Sequence, residues 1–314
     1  MQYRVSIKRK CYLLSVLLMT VWLTGCVQEE FESTPSPAGN GIRFTLTVPD
    51  VNLPSVSSRT MTGTGTAKKE DEIETVDILV FDMSKTPAVF LEWASATEVT
   101  QDLADNSTVS FSAVLSPTTA STCIVVVANK ELDNIVSGFT KGATTKVEAM
   151  EKMLHTQTGK WLADGSTTGG YTRIPMYGEK VISKITPSMD PITGINMKRM
   201  LARIDIRNNS ATSNFTVEEV YLANYNTTGY IAPAWNTNGQ VTDPVPDTPV
   251  LPAGSGKMTE EGDAILYSVN GNTPYDGEIY TFESLAAGDA GGAGQDGEAS
   301  RKDATCLIVK GKIG

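Results

Sequence analysis

The chain has 314 residues, of which 40% are apolar and 20% charged, and its acidic residues outnumber its basic ones 36 to 26. The resulting net charge of −10 argues against nucleic acid as a partner, because a phosphate-binding surface needs clustered basic side chains. One histidine, His155, leaves little material for histidine-based catalysis or metal binding. At roughly 100–200 residues per domain, the length predicts two domains.

The first 25 residues have the pattern of an export signal. Four basic residues within positions 1–10 precede a mostly apolar run over 12–19, which is too short to span a membrane. The run ends at Leu23-Thr24-Gly25-Cys26, which resembles the lipobox of bacterial lipoproteins. We therefore predict a signal peptide over 1–25, lipidation of Cys26 that includes palmitate, and a polar tether over 26–39. The alternative is cleavage elsewhere, with Cys26 an ordinary thiol.

Alternating apolar and polar residues predict the first strand, over 40–49. Its apolar members are Ile42, Phe44, Leu46 and Val48, and a period of two is typical of a strand with one buried face. The following segment, 50–70, is rich in Ser, Thr and Gly and has no apolar periodicity. Such a segment predicts an exposed loop of the kind that proteases cut.

Two later segments, 76–81 and 124–127, are apolar at nearly every position, which predicts central strands covered on both faces. Between them, the sequence predicts an edge strand at 88–93 and an alternating strand over 109–115. Further strands are predicted at 174–177, 195–206, 216–223, 264–269, 278–282 and 306–312.

One helix is predicted, near 145–155, with Thr145 as its N-cap, Glu148 completing a capping box and His155 at its end as a helix-terminal cation. One helix beside many strands predicts a mostly β, sandwich-type fold. The polar segment 208–214 lacks large apolar residues, so we divide the chain into an N-terminal domain over 40–207, which holds the helix, and a C-terminal domain over 208–314. Because the last strand runs close to Gly314, we expect the second domain to be incomplete.

The motifs that could carry chemistry do not form a site. The glycine pattern at 292–297 matches the dinucleotide fingerprint but lacks the strand and helix that this fold needs around it. The acidic residues near 276–298 lack the spacing of a calcium loop. Cys123 and Cys306 lie in apolar runs and are expected as small core residues, with a disulfide between them as the alternative. We predict no enzyme activity, no catalytic residue, no cofactor and no metal.

Several segments, in order along the chain, resemble the fimbrillins, the major fimbrial subunits of Bacteroidales that build type V pili. The segments are 58–60 (Ser-Arg-Thr), 77–82 (Asp-Ile-Leu-Val-Phe-Asp), 125–129 (Val-Val-Val-Ala-Asn), 174–179 (Ile-Pro-Met-Tyr-Gly-Glu), 199–206 (Arg-Met-Leu-Ala-Arg-Ile-Asp-Ile), 221–224 (Tyr-Leu-Ala-Asn), 229–233 (Gly-Tyr-Ile-Ala-Pro) and 280–284 (Tyr-Thr-Phe-Glu-Ser). The resemblance implies two tandem β-sandwich domains of transthyretin-like topology. It also implies export as an outer-membrane lipoprotein and cleavage by an arginine-specific protease between Arg59 and Thr60.

Cleavage at this position would allow the first strand to leave the fold, which would destabilise the subunit. Its four apolar side chains stabilise the fold by roughly 6–12 kcal/mol if all are buried. Their removal leaves a groove that another subunit's strand can fill by β-augmentation, and head-to-tail repetition of that contact yields a filament. The resemblance accordingly implies other pilus subunits as partners, in a homopolymer and with tip and anchor pilins, in an adhesive pilus outside the cell.

Two other functions stay open at this stage. One is a surface lipoprotein that binds glycans by stacking on Trp93, Trp161 and Trp235, although core packing is the more common use of tryptophan. The other is a tip or anchor subunit of the same pilus that does not polymerise. For Arg59, the alternative to a processing site is an ordinary exposed loop residue.

Overall fold

Short strands make up most of the described chain. The computed structural model describes residues 42–47, 71–101, 108–161, 172–205, 214–242, 249–253, 264–268, 278–284 and 305–314, all within the compact unit Gly41–Gly314. The strands are β1 (Ile42–Thr47), β2 (Val76–Asp82), β3 (Val89–Ser95), β4 (Thr97–Gln101), β5 (Thr108–Ala113), β6 (Thr122–Ala128), β7 (Leu154–Thr156), β8 (Met176–Ile182), β9 (Ile192–Asn196), β10 (Lys198–Arg199), β11 (Leu201–Asp205), β12 (Phe215–Ala223), β13 (Thr228–Tyr230), β14 (Ile265–Ser268), β15 (Glu278–Phe282) and β16 (Cys306–Ile313). The helices are α1 (Asp133–Val136) and α2 (Lys146–Lys152). The predicted mostly β fold class is confirmed.

The central layer is a five-stranded sheet in the order β10-β8-β6-β2-β3. Because side chains alternate along a strand, Ile78, Val80 and Val126 enter one hydrophobic cluster, the first core, while Leu79 and Val125 enter another, the second core. Burial on both faces explains why β2 and β6 are apolar at almost every position, and it confirms them as central strands. The predicted edge position of β3 is also confirmed.

A four-stranded sheet in the order β4-β5-β1-β9 supplies the other side of the first core. The first core contains inward-facing residues of both sheets, such as Phe44 and Phe111 from this sheet and Val80 and Val126 from the central one. In the order of this sheet, β1 is an interior strand, with β5 and β9 as its hydrogen-bonded neighbours.

Helix α2 begins as the sequence predicts and ends earlier. The Thr145 side chain accepts a hydrogen bond from the Glu148 N–H, and Glu148 completes the capping box. The chain leaves the helix at Met153 and forms β7, which pairs with β13, so His155 lies in a strand. The prediction of His155 at a helix end is wrong, because pairing with the distant β13 overrides helix continuation. Helix α1 was not predicted.

The segment predicted as one strand over 195–206 is divided among sheets. Strand β9 pairs with β1, β10 pairs with β8 and β11 pairs with β15. The residues between these strands, Met197 and Met200, are buried in different cores. The sequence predicts a single strand here because local patterning indicates extended backbone but not the points at which the pairing partner changes.

The rest of the described chain forms a three-stranded sheet, β14-β12-β16, and the pair β11-β15, which meet in a third hydrophobic cluster that includes Val220, Leu222 and Tyr267. The second core also contains Ile231 and Phe282, which lie beyond the predicted domain boundary. That boundary, at 208–214, falls almost entirely outside the described residues. The division into domains over 40–207 and 208–314 stays a prediction.

Candidate functional site: the groove that the first strand fills

Strand β1 is paired with β5 along its whole length and with β9 from Phe44 to Thr47. It runs antiparallel to β5, with Ile42 opposite Ala113 and Leu46 opposite Val109. On its other side it runs parallel to β9, with Leu46 opposite Ile195. Removal of β1 would therefore leave the backbone hydrogen-bonding groups of two strands without partners.

The inward side chains of β1 are fully enclosed. Ile42, Phe44 and Leu46 are 3%, 1% and 0% exposed. Between them Arg43 and Thr45 are half-buried, and Thr47 is exposed. The predicted alternation is confirmed over these residues, whereas Val48 lies outside the described part of the chain.

At the centre of the groove, an aromatic ring of β1 packs against an aromatic ring of β5. Phe44 lies directly opposite Phe111, with ring centroids 4.9 Å apart and ring planes 5° from parallel. Both rings are buried in the first core, beside the β9 residue Ile192 that neighbours Phe44 in register. The site is thus a hydrophobic groove that binds a strand through apolar packing and backbone hydrogen bonds. The inward-facing residues that the structure describes carry no charge.

The other predicted site residues belong to export and processing. Cys26, Arg59 and Thr60 all lie outside the described residues. Lipidation and cleavage at these positions stay predictions. What the structure describes is the strand that precedes the predicted cut and the segment 71–74 that follows it.

Segment 71–74, just before β2, is held by side chains from two distant places in the sequence. The Gln101 amide donates to the Asp71 carbonyl at 2.7 Å and accepts from the Ile73 N–H at 3.1 Å. The Asn129 amide donates to the Glu72 carbonyl at 2.8 Å and accepts from the Glu74 N–H at 3.0 Å. These bonds fix the backbone of four successive residues.

Two arginines pair with the carboxylates of the same segment. Arg173 lies 2.5 Å from Glu74 and 3.4 Å from Glu72, and Arg199 pairs with Asp71. We call segment 71–74 with Gln101, Asn129, Arg173 and Arg199 the acidic clamp. Sequence reasoning missed it: the acidic run after the loop was visible, but its partners are far away in sequence.

An ion pair between a buried lysine and a half-buried glutamate joins helix α2 to the central sheet. Lys146, which is 0% exposed, lies 2.6 Å from Glu179 of β8, whose carboxylate also accepts from the Tyr177 hydroxyl and the Val241 N–H. Burial raises the pKa of the Tyr177 phenol well above its ordinary value. All three polar partners of Glu179 are hydrogen-bond donors, so the cluster is a structural anchor for α2.

The cysteines of the described chain are both thiols. Burial raises the pKa of Cys123 to about 11, so this thiol stays protonated and unreactive. Its predicted place in the core is confirmed, whereas Cys306 is half-buried. The alternative of a disulfide between them is not realised in this structure.

His155 is neutral at physiological pH. Burial, with a smaller effect of the Lys130 charge, lowers its pKa to about 4. Its ring lies 5.0 Å from that of Trp161. The predicted helix-terminal cation is therefore wrong, because aromatic packing in the interior of the chain disfavours the charged imidazole.

The tryptophans proposed as glycan-stacking platforms all pack in or against the second core. Trp161 is 5% exposed and donates from Nε1 to the Thr172 carbonyl at 2.9 Å. Trp93 and Trp235 are half-buried and pack against the second core. These rings therefore contribute to core packing. No observation on the described residues supports the alternative of a glycan-binding lipoprotein.

Within the described residues, no group of three or more His, Cys, Asp or Glu side chains is arranged to hold a metal ion. In the same part of the chain, no helix has the length and apolar character needed to cross a membrane.

Comparison with known proteins gives one family match. The sequence profile of the family described as "Major fimbrial subunit protein (FimA)" matches residues 42–299, which include β1. No curated protein sequence matches the chain.

Two solved structures from Parabacteroides distasonis ATCC 8503 are similar. One, a putative cell adhesion protein, has 15% identity and a TM-score of 0.49, and the match covers 87% of this chain and 75% of that one. The other, a fimbrial assembly protein, has 12% identity and a TM-score of 0.41 over 87% of this chain and 82% of that one.

The profile match covers well over half of the chain and begins at the first residue of β1. Members of this family are structural components of the extracellular pilus, which associate with other pilus subunits and are not enzymes. The chain belongs to the major fimbrial subunit protein (FimA) family.

Proposed function

We propose that the chain is a pilus subunit that is stored as a lipoprotein precursor and polymerises by donor-strand exchange. Lipid on Cys26 anchors the precursor in the outer membrane, and an arginine-specific protease cuts between Arg59 and Thr60. The cut separates β1 from the body, and a strand of another subunit takes its place. The observation that carries this proposal is the interior position of β1, which is paired on both sides and buried along one face.

The free energy that β1 contributes is consistent with cleavage acting as a switch from a stable monomer to a polymerising subunit. The inward side chains of β1 stabilise the uncut fold by roughly 4–9 kcal/mol, at about 1.5–3 kcal/mol each. While β1 is covalently attached it returns to the groove at high effective concentration, and cleavage removes that advantage. A competing strand of equal fit can then replace it.

The acidic clamp supports the same order of events. It holds segment 71–74 to the body by hydrogen bonds and ion pairs of residues from β4, β10 and elsewhere. A cut at Arg59 lies on the β1 side of this clamp. The body therefore keeps its entry into β2 when β1 leaves.

The contact between one subunit's groove and the next subunit's strand is heterologous. Such a contact does not close on itself, so repetition gives a filament. Identical copies form the shaft in this scheme, tip and anchor pilins occupy its ends, and the assembled pilus supports adhesion.

The first experiment treats the purified mature protein with an arginine-specific protease and follows mass and assembly state. We expect loss of the residues up to Arg59, followed by heat-resistant ladders of oligomers. An Arg59→Ala variant should stay intact and monomeric. A protein that loses these residues and stays strictly monomeric at high concentration contradicts self-assembly, and an uncut wild-type protein contradicts the processing site.

Lipidation needs a separate test. Cells that express the chain with its signal peptide should incorporate a labelled palmitate analogue into it, and a Cys26→Ser variant should not. Equal labelling of both forms would contradict Cys26 as the lipid attachment site.

A further inference from the structure

We propose that the groove selects a strand with a phenylalanine at the position of Phe44, flanked two residues away on each side by aliphatic residues. This inference rests on the proposed function, because it specifies the strand that replaces β1. The occupant is an extended segment of a partner subunit that runs in the direction of β1, antiparallel to β5 and parallel to β9.

The aromatic preference arises from the β5 wall of the groove, where Phe111 lies directly opposite Phe44. Phe111 presents its ring to Phe44 in a near-parallel stack with centroids 4.9 Å apart. This separation lies within the range of favourable aromatic pairs, which contribute beyond the area that they bury. An aliphatic side chain at this position loses the ring contact and leaves a void beside Phe111.

The flanking positions differ from the central one. Opposite Ile42 lies Ala113, and opposite Leu46 lies Val109, so each flank meets a smaller aliphatic partner. A strand shifted by two residues would place its ring against Ala113 or Val109 and would leave Phe111 against an aliphatic side chain. The Phe111 ring therefore also favours one register of the incoming strand.

The surroundings disfavour the other aromatic residues. The first core around Phe44 is built from aliphatic, aromatic and methionine side chains. A tyrosine hydroxyl buried there would lose its hydrogen bonds with water, and a tryptophan would overpack a filled site. Phenylalanine is thus expected to be captured in preference to both.

The test uses the whole mature chain after a cut in the 50–70 loop. Where the arginine-specific protease does not cut, a recognition sequence for a sequence-specific protease placed within 60–69 gives an equivalent break. The cut protein is incubated with a large excess of two competing peptides in equal amounts. One has the sequence of residues 41–48, the other carries Phe44→Leu, and native mass spectrometry reads which peptide is bound.

We expect the phenylalanine peptide to be captured roughly 2- to 12-fold more than the Phe44→Leu peptide. A Phe44→Ala peptide should be captured at least about 100-fold less. A Thr45→Ser peptide is the matched control, since this half-buried position lies off the inward face, and it should compete equally. In a Phe111→Leu protein the preference for phenylalanine over leucine should shrink, and the wild-type competition stands by itself if that variant does not fold.

The outcomes separate this inference from the proposed function. Equal capture of the phenylalanine and leucine peptides contradicts the selectivity and leaves strand exchange intact. Retention of β1 with capture of no peptide contradicts strand exchange itself, and this inference with it. Capture at a shifted register, detected by crosslinks from the peptide to β5, contradicts the role of Phe111 in setting register.

Discussion

Glu74 and Asn129, which are 55 positions apart in the sequence, are joined by a hydrogen bond from the Glu74 N–H to the Asn129 Oδ1 at 3.0 Å. The Asn129 amide also donates to the carbonyls of Glu72 and Ile174. One side chain thus ties segment 71–74 to the chain that enters β8. Asn129 has a left-handed backbone, with φ of 58°, which few residue types other than asparagine and glycine adopt without strain.

Asn129→Gly should lower the free energy of unfolding by about 1–3 kcal/mol, because the Glu74 N–H and the carbonyls of Glu72 and Ile174 lose their partner while the backbone conformation is still permitted. Urea unfolding measures this change. Limited digestion with a nonspecific protease should also trim the variant beyond residue 71, where the wild type resists.

Glu98→Gly is the matched control for Asn129→Gly. Glu98 also has a positive φ, 56°, but its side chain is exposed. Its replacement should leave stability unchanged or raise it by less than about 1 kcal/mol. Equal losses from both variants would argue against a specific role of the Asn129 amide.

Phe44→Ala in the uncut protein should cost about 3–5 kcal/mol of unfolding free energy, since it leaves a cavity beside Phe111 in the first core. Thr47→Ala, on the exposed position of the same strand, should change it by less than about 0.5 kcal/mol. After cleavage, the Phe44→Ala protein should release its β1 fragment faster, as followed by size-exclusion chromatography. Unchanged release would contradict the role of this ring in holding β1.

Lys146→Met should destabilise the protein by about 3 kcal/mol, because the half-buried Glu179 carboxylate loses its counter-charge. In the double variant Lys146→Met with Glu179→Gln, the amide keeps hydrogen-bonding groups near Tyr177 and Val241 without an unpaired charge. The double variant should therefore be more stable than Lys146→Met in urea unfolding. A double variant that is less stable than the single one would contradict this account of the cluster.

His155 should make stability depend on pH in a defined window. The unfolded chain takes up a proton at this residue near pH 6.5, whereas burial keeps the folded protein neutral there down to about pH 4. The unfolded state binds more protons between these values, so stability falls as the pH is lowered from 6.5 towards 4. The difference in unfolding free energy between the wild type and a His155→Gln variant, measured across this range, should show the loss. A flat difference, or an NMR titration of His155 above pH 6, would contradict the pKa shift.

Local rules were sufficient for several features of this chain. The period of two in Ile42, Phe44 and Leu46, the apolar runs of β2 and β6, and the Thr145–Glu148 capping box all depend on neighbours within a few residues. Patterns of this kind specify which face of a strand is buried or where a helix begins. They were therefore readable from the sequence, as was the family resemblance that the profile match confirms.

Tertiary structure alone decided which distant residues meet. Nothing local indicates that β9 is the parallel partner of β1, that Phe111 of β5 lies opposite Phe44, or that His155 lies in a strand paired with β13. The acidic clamp joins residues as far as 128 positions apart, from Asp71 to Arg199. Such pairings depend on how whole strands are ordered in the sheets, which is a property of the complete packed core and not of any short segment. The sequence by itself therefore determined the strand that is buried, and the fold determined the groove that this strand fills.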